Sequence, residues 1–146
     1  MNSGLNPDVG RSEIERLLPQ KGAMCLVDRV TAWDATSIAC VADAGRVQHP
    51  LRGDHGVSVV HSVEYGAQAA ALHCLLQVRD EGASGGLLLQ IHEARFLVRR
   101  LDSLEQPLRI EAVCKVSTPE AARYTYRIES AGIMVSSGEL TMRLIW

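Results

Sequence analysis

The sequence predicts an α+β fold: an antiparallel sheet wrapped around one long helix. Three observations lead there. One long helical pattern, residues 57–79, stands mid-chain, with alanine dense from 67 to 71 and an apolar continuation through Leu72, Leu75 and Leu76. Two runs of strand formers precede it and four follow it, several alternating apolar and polar side chains as a sheet with one covered face requires. No repeat, low-complexity tract or linker-like shift divides the 146 residues, so 12–146 read as a single domain.

Each element has its own signal. Residues 1–11, rich in Gly, Asn and Pro, are expected to be a flexible, frayed terminus. Ser12, with Glu13 and Glu15 behind it, reads as an N-cap and acidic first turn. Ile14, Leu17 and Leu18 then give a short helix one apolar face, and Pro19 stops it. Residues 24–33 and 36–43 are strand-forming runs parted by Asp34 and Ala35. Residues 45–56 (GRVQHPLRGDHG) combine three glycines, a proline and two histidines with charge. That is a loop composition, and loops held by a rigid scaffold often carry chemistry. Ser58 is the expected N-cap of the long helix. Gly66 inside it costs about 1 kcal/mol relative to alanine, a sign of close backbone approach. Strands are expected over 87–98, 107–117, 121–131 and 133–145, with Pro119-Glu120 and Gly132 as turns. The alternation is clearest where Tyr124, Tyr126 and Ile128 interleave with Arg123, Thr125 and Arg127.

Composition narrows the function. A net charge of −2 and a pI near 6.2 do not suit a protein built to neutralise phosphates, so no nucleic-acid partner is expected. With 47% hydrophobic residues the chain is not a disordered one. No apolar run approaches the ~20 residues that span a bilayer, and no basic, then apolar leader opens the sequence, so no membrane partner and a cytoplasmic location are expected. Cys25, Cys40, Cys74 and Cys114 form no CxxC pair and sit among apolar neighbours, which reads as buried reduced thiols. No HxH or HxxxH pair suggests a metal site, and none is expected.

The polar residues of the long helix are the candidates for chemistry. His61, Glu64 and Gln68 are spaced i, i+3, i+7 on one face, among Val59, Val60, Val63 and the alanines. A carboxylate in such surroundings is costly unless it is paired or has a raised pKa, while a glutamate on an amphipathic helix is usually just solvated. His61 reads as a core-edge or interface histidine ahead of a catalytic one. His73 and His92 read as packing or surface residues. His49 and His55 lie in the loop that feeds the helix, and a histidine converging with a glutamate is the pair that proton transfer needs. The N–H groups from Val57 to Val60, at the helix start, are candidates to polarise a carbonyl oxygen.

Two segments carry a family resemblance. Residues 14–30, Ile-Glu-Arg-Leu-Leu-Pro-Gln-Lys-Gly-Ala-Met-Cys-Leu-Val-Asp-Arg-Val, resemble the opening of the beta-hydroxyacyl-[acyl carrier protein] dehydratases, roughly I-x-x-L-L-P-H-R-x-P-x-L-L-V-D-R-V. Residues 63–71, Val-Glu-Tyr-Gly-Ala-Gln-Ala-Ala-Ala, resemble their central helix, roughly I-E-x-x-A-Q-x-x-A. The order of elements agrees over 12–146. The stretch His49-Pro50-Leu51-Arg52-Gly53-Asp54-His55-Gly56-Val57-Ser58 departs from the housekeeping loop G-H-F-P-x-x-P and is similar to the variant loop of the subgroup associated with aryl-polyene and related pathways. The resemblance implies a hotdog fold whose sites form where two subunits pair.

It also implies roles. Glu64 matches the helix carboxylate and Gln68 the glutamine four residues on. The family's histidine lies fourteen residues before the carboxylate, where this chain has Pro50; His49 is one residue away, and His55 is the alternative. Val57 and Val59 stand near the family's carbonyl-binding backbone, beside His61. The implied activity is dehydration of 3-hydroxyacyl thioesters on acyl carrier protein, with no cofactor, in a homodimer or a heterodimer with a homologous hotdog subunit. An acyl thioesterase of the same fold, or a catalytically degenerate subunit of a heterodimeric dehydratase, are the alternatives.

Overall fold

Alternating side chains in the C-terminal half build one wall, and an alanine-rich helix fills its hollow. A computed structural model of the chain describes residues 8–45, 48–78 and 81–146. The elements run α1 (Arg11–Leu17), β1 (Arg29–Trp33), β2 (Ser37–Ala42), α2 (Ser62–Gln77), β3 (Gly85–Phe96), β4 (Leu108–Ser117), β5 (Ala122–Ser130) and β6 (Ile133–Ile145), with 3-10 turns at Gly22–Met24 and Val59–His61. The strands form one antiparallel sheet of six, in the order β1-β2-β4-β5-β6-β3. The chain leaves β2 near one edge, passes through α2, and re-enters at the opposite edge as β3. The helix therefore crosses the sheet and touches β2 to β6. This is the hotdog arrangement the resemblance implies.

The core lies between α2 and the sheet. Tyr124, Tyr126 and Ile128 of β5 point in while Arg123 and Arg127 point out, and Leu108, Ile110 and Ala112 of β4 do the same. In α2 only Val63, Glu64 and Gln77 escape burial, so the helix is covered nearly all round rather than along one stripe. Small side chains make that possible. A Cβ on Gly66 would lie 2.7 Å from the Tyr126 ring, and one on Gly138 of β6 would lie 2.7 Å from the Tyr126 hydroxyl. The two glycines clamp one tyrosine, which sets the distance between helix and sheet. Ser136 of β6 donates to Ser62 at 2.7 Å, both buried, and ties down the start of α2.

Several expected boundaries shift. The short helix starts at Arg11 with Gly10 at its cap, and Ser12 caps nothing; it lies within the first turn. Residues 8–11 are not frayed: Val9 is buried and exchanges two 3.0 Å backbone bonds with Val30. The rest of the expected flexible terminus, 1–7, lies outside the described residues. The run over 24–33 is a strand only from Arg29, because Gly22, at φ +58, opens a 3-10 turn instead. Ser58 accepts from the Val60 N–H, so it caps the 3-10 turn, and α2 proper begins at Ser62. The third expected strand begins two residues early, at Gly85. Between β5 and β6, Ala131 and Gly132 both have positive φ, the two-residue turn that the glycine marked. Cys25, Cys40 and Cys74 are buried, Cys114 is half-buried, and all four are free thiols. No helix among the described residues is long and apolar enough to cross a membrane.

Candidate functional site

The two segments that carry the resemblance meet in space. Gln68 of α2 reaches the backbone between Pro19 and β1: its Oε1 accepts the Leu26 N–H at 2.8 Å, and its Nε2 donates to the Met24 carbonyl at 2.8 Å. Those two main-chain atoms leave the amide one orientation. Its second N–H then donates to Glu64 Oε1 at 3.0 Å, one turn earlier on the helix. From the loop after α1, Gln20 Nε2 donates to the same Oε1 at 3.4 Å. Glu64 is half-buried, and its hydrogen bonds all fall on one oxygen. Among the described residues, no hydrogen bond falls on Oε2.

His49 sits elsewhere. Its ring is 4% exposed, and its Nε2 lies 2.6 Å from the hydroxyl of Tyr65, itself fully buried on α2. The Leu51 N–H donates to Nδ1 at 3.1 Å. A nitrogen that accepts carries no proton, so the neutral ring holds its proton on Nε2 and donates it to Tyr65. Glu64 bonds to neither loop histidine, so one chain does not assemble the expected pair.

His55 and His61 open onto a third place, a groove of about 490 Å³ that Ser58, Arg99 and Arg100 also line. Asp102, outside its lining, ties Arg100 to the neighbouring loop. Its carboxylate accepts from Arg100 Nη2 at 2.7 Å, from Arg52 Nη1 at 3.0 Å and from the Val57 N–H at 3.0 Å. The Arg100 guanidinium first, then Val57 and Arg52, hold that carboxyl well below the usual carboxylate range. Gly56, at φ +92, has room for no side chain there: a Cβ would come within 2.6 Å of Asp102.

The expected carbonyl-binding donors need correction. The Val57 N–H is bonded to Asp102 and the Val59 N–H to the Arg99 carbonyl at 3.0 Å, so neither points at a ligand. The strand-like bridge between Ser58 and Arg100 takes the Val59 donor, and the Asp102 side chain takes that of Val57, before the helix begins. Among the described residues no three His, Cys, Asp or Glu side chains group as a metal site. Sequence reasoning passed over Tyr65, Gln20 and Asp102 as site residues. Gln20 had a signal, since it stands where the family pattern carries histidine. Asp102, a lone aspartate in a loop, had none.

A family model described as ApeP-like, ApeP dehydratase, matches residues 12–143. No curated protein matches the chain significantly. Among solved structures, the dehydratase heterocomplex ApeI:P of Xenorhabdus doucetiae is similar at TM-score 0.80 and 18% identity over 89% of each chain. A mutant thioesterase of Pseudomonas aeruginosa is similar at TM-score 0.60 and 16% identity over 80% of each chain. A hypothetical thioesterase of Streptococcus pneumoniae, solved with coenzyme A, is similar at TM-score 0.58 and 15% identity over 79% of this chain and 83% of that one. At these identities the likeness is one of fold.

Proposed function

The chain belongs to the ApeP-like dehydratase family, and from that premise we propose that it removes water from 3-hydroxyacyl thioesters carried on acyl carrier protein, giving trans-2-enoyl thioesters in aryl-polyene-type biosynthesis. The observation that carries this reading is the state of Glu64. Two side-chain amides cover Oε1, and Oε2 is left for a transferable proton. In the reaction a base takes the C2 proton, the C2–H pair becomes the second C2–C3 bond, and the C3–O bond breaks. Glu64 Oε2 gives its proton to the departing hydroxyl, which leaves as water.

His49 is the base in this proposal, with His55 the alternative. Its lone pair lies on Nδ1, so the loop releases the Leu51 N–H as substrate enters. Because Glu64 and His49 do not meet within one chain, each site takes its histidine from one subunit and its glutamate from the other. The β3 edge supports a second hotdog subunit. Leu87, Leu89 and Ile91 are each about half exposed on a twelve-residue edge strand, an edge that invites pairing with another strand. That partner is a second copy or a homologous subunit. The groove with His55, His61, Arg99 and Arg100 supports an anionic carrier arm.

The test is turnover of a 3-hydroxyacyl thioester, on carrier protein and on coenzyme A, by the wild type and by Glu64→Gln. The variant is expected to keep its melting temperature and to lose roughly 10²–10⁴-fold in rate. A fully active variant, or thioester hydrolysis in place of dehydration, would remove this reading.

A further inference from the structure

Gln20 is the one side chain at Glu64 that the family pattern does not supply. It follows Pro19 at the end of α1 and reaches across to α2, where its Nε2–H donates to Glu64 Oε1 at 3.4 Å. Its own Oε1 is buried and has no hydrogen-bond partner. A buried amide oxygen left without a donor destabilises a fold, and native proteins keep few of them. Turning the amide over would not cure this. It would set Gln20 Oε1 against the carboxylate oxygen, acceptor against acceptor, and bury an unpaired N–H instead. Glu64 thus fixes the orientation, and the fold bears an orphaned oxygen so that one more donor faces Oε1. Gln68 does not need this help to hold its own place, because the Met24 carbonyl and the Leu26 N–H already fix it.

Building on the proposed role of Glu64 as proton donor, we infer that Gln20 is a positioning residue for that acid: with Gln68 it occupies Oε1 and so confines the transferable proton to Oε2, the oxygen left open to substrate. A side chain retained for chemistry at the expense of stability has a signature that a structural side chain lacks. Removing it slows the reaction without loosening the protein.

The experiment compares Gln20→Met, which keeps length and removes both polar atoms, with Gln20→His and Glu64→Gln in the same thioester assay, with melting temperatures for all. Gln20→Met is expected to lower kcat roughly 10- to 100-fold, the scale of a hydrogen bond to a charged group, with KM within about twofold. Its melting temperature should equal or exceed that of the wild type. Gln20→His, which restores a ring N–H donor, should recover most of the rate. Wild-type kcat in Gln20→Met overturns the inference, and so does a parallel fall of rate and melting temperature, which marks a structural residue. If Gln20→Met does not fold, the role is structural and the inference fails with it. Glu64→Gln separates the two readings: an inactive Glu64→Gln beside a normal Gln20→Met rejects only Gln20, whereas an active Glu64→Gln rejects the acid itself.

Discussion

The helix α2 carries a buried tyrosine near its start and a buried histidine near its end, and each makes a histidine–tyrosine bond of 2.6 Å. His49 and Tyr65 lie with ring centroids 6.2 Å apart, tilted by 36°; His73 and Tyr124 lie 5.5 Å apart, edge to face at 80°. By contact alone the two pairs are alike. What separates them is the atom on the other ring nitrogen. His73 Nε2 faces the Asp34 carbonyl at 2.8 Å, so the proton sits there and Nδ1 accepts from Tyr124. The Cys74 thiol, 3.1 Å from the same phenol, must then donate to it. Each polar atom in this chain has a partner, and the chain ends at a main-chain carbonyl. In the other pair the Leu51 N–H faces Nδ1, so the proton runs the opposite way, from His49 to Tyr65, and the tyrosine proton points away from the imidazole. A histidine–tyrosine pair is therefore not itself a sign of catalysis. The direction of its proton is set by the backbone, and the sealed pair of His73 and Tyr124 braces the fold.

The sharpest way to break this contrast is kinetic. His49→Ala is expected to lower dehydration roughly 10²–10⁴-fold while His55→Ala stays within about threefold. The reverse result, with melting temperatures unchanged, moves the base to His55 and makes the first pair as structural as the second. Tyr124→Phe probes the sealed pair. It leaves His73 Nδ1 and the Cys74 thiol without their partner, a loss of roughly 1–3 kcal/mol. That is read as a fall of a few degrees in melting temperature, with kcat unchanged in the folded enzyme. A kinetic defect in Tyr124→Phe at full stability would merge the two pairs.

The smallest effect is on pH. Burial pushes the His73 imidazole below its ordinary value, so the unfolded chain binds a proton there that the folded chain refuses. Stability from this residue is therefore whole above pH ~6.5 and falls as the pH drops below it, at no more than about 1.4 kcal/mol per pH unit. Chemical denaturation of the wild type and of His73→Asn between pH 5 and 8 isolates the slope. An identical pH dependence in the two proteins would show that His73 takes up its proton equally in the folded and the unfolded chain, and would overturn the depression.

The fold was legible where side chains obey a period. β5 and β6 and the body of α2 stand where alternation and alanine density put them. The start of α2 was less legible, because Val57 and Val59 bond to Asp102 and Arg99 from a distant loop, and no local pattern announces a bond of that range. The 3-10 turn at Gly22–Met24 likewise interrupts a run whose residues favour strand. At the site, Glu64 and Gln68 were visible through their helical spacing and the family motif. His49 was visible as a residue, but its burial against Tyr65 was not, since the loop's path depends on how Leu51 turns back on the ring. Gln20 was marked only as a departure from the family pattern; its bond to Glu64 depends on α1 ending beside a residue 44 positions further along the chain.

The anchoring of Gln68 has an evolutionary consequence. It grips the carbonyl of Met24 and the N–H of Leu26, atoms that nearly any amino acid supplies. Selection on that contact therefore falls almost wholly on the glutamine, and the stretch it holds is at liberty to change its side chains. Proline at position 26, which removes the N–H, is the change the contact cannot absorb. The side chains around Met24 and Leu26 can thus change while Gln68 keeps its hold on the backbone and Glu64 keeps its neighbour.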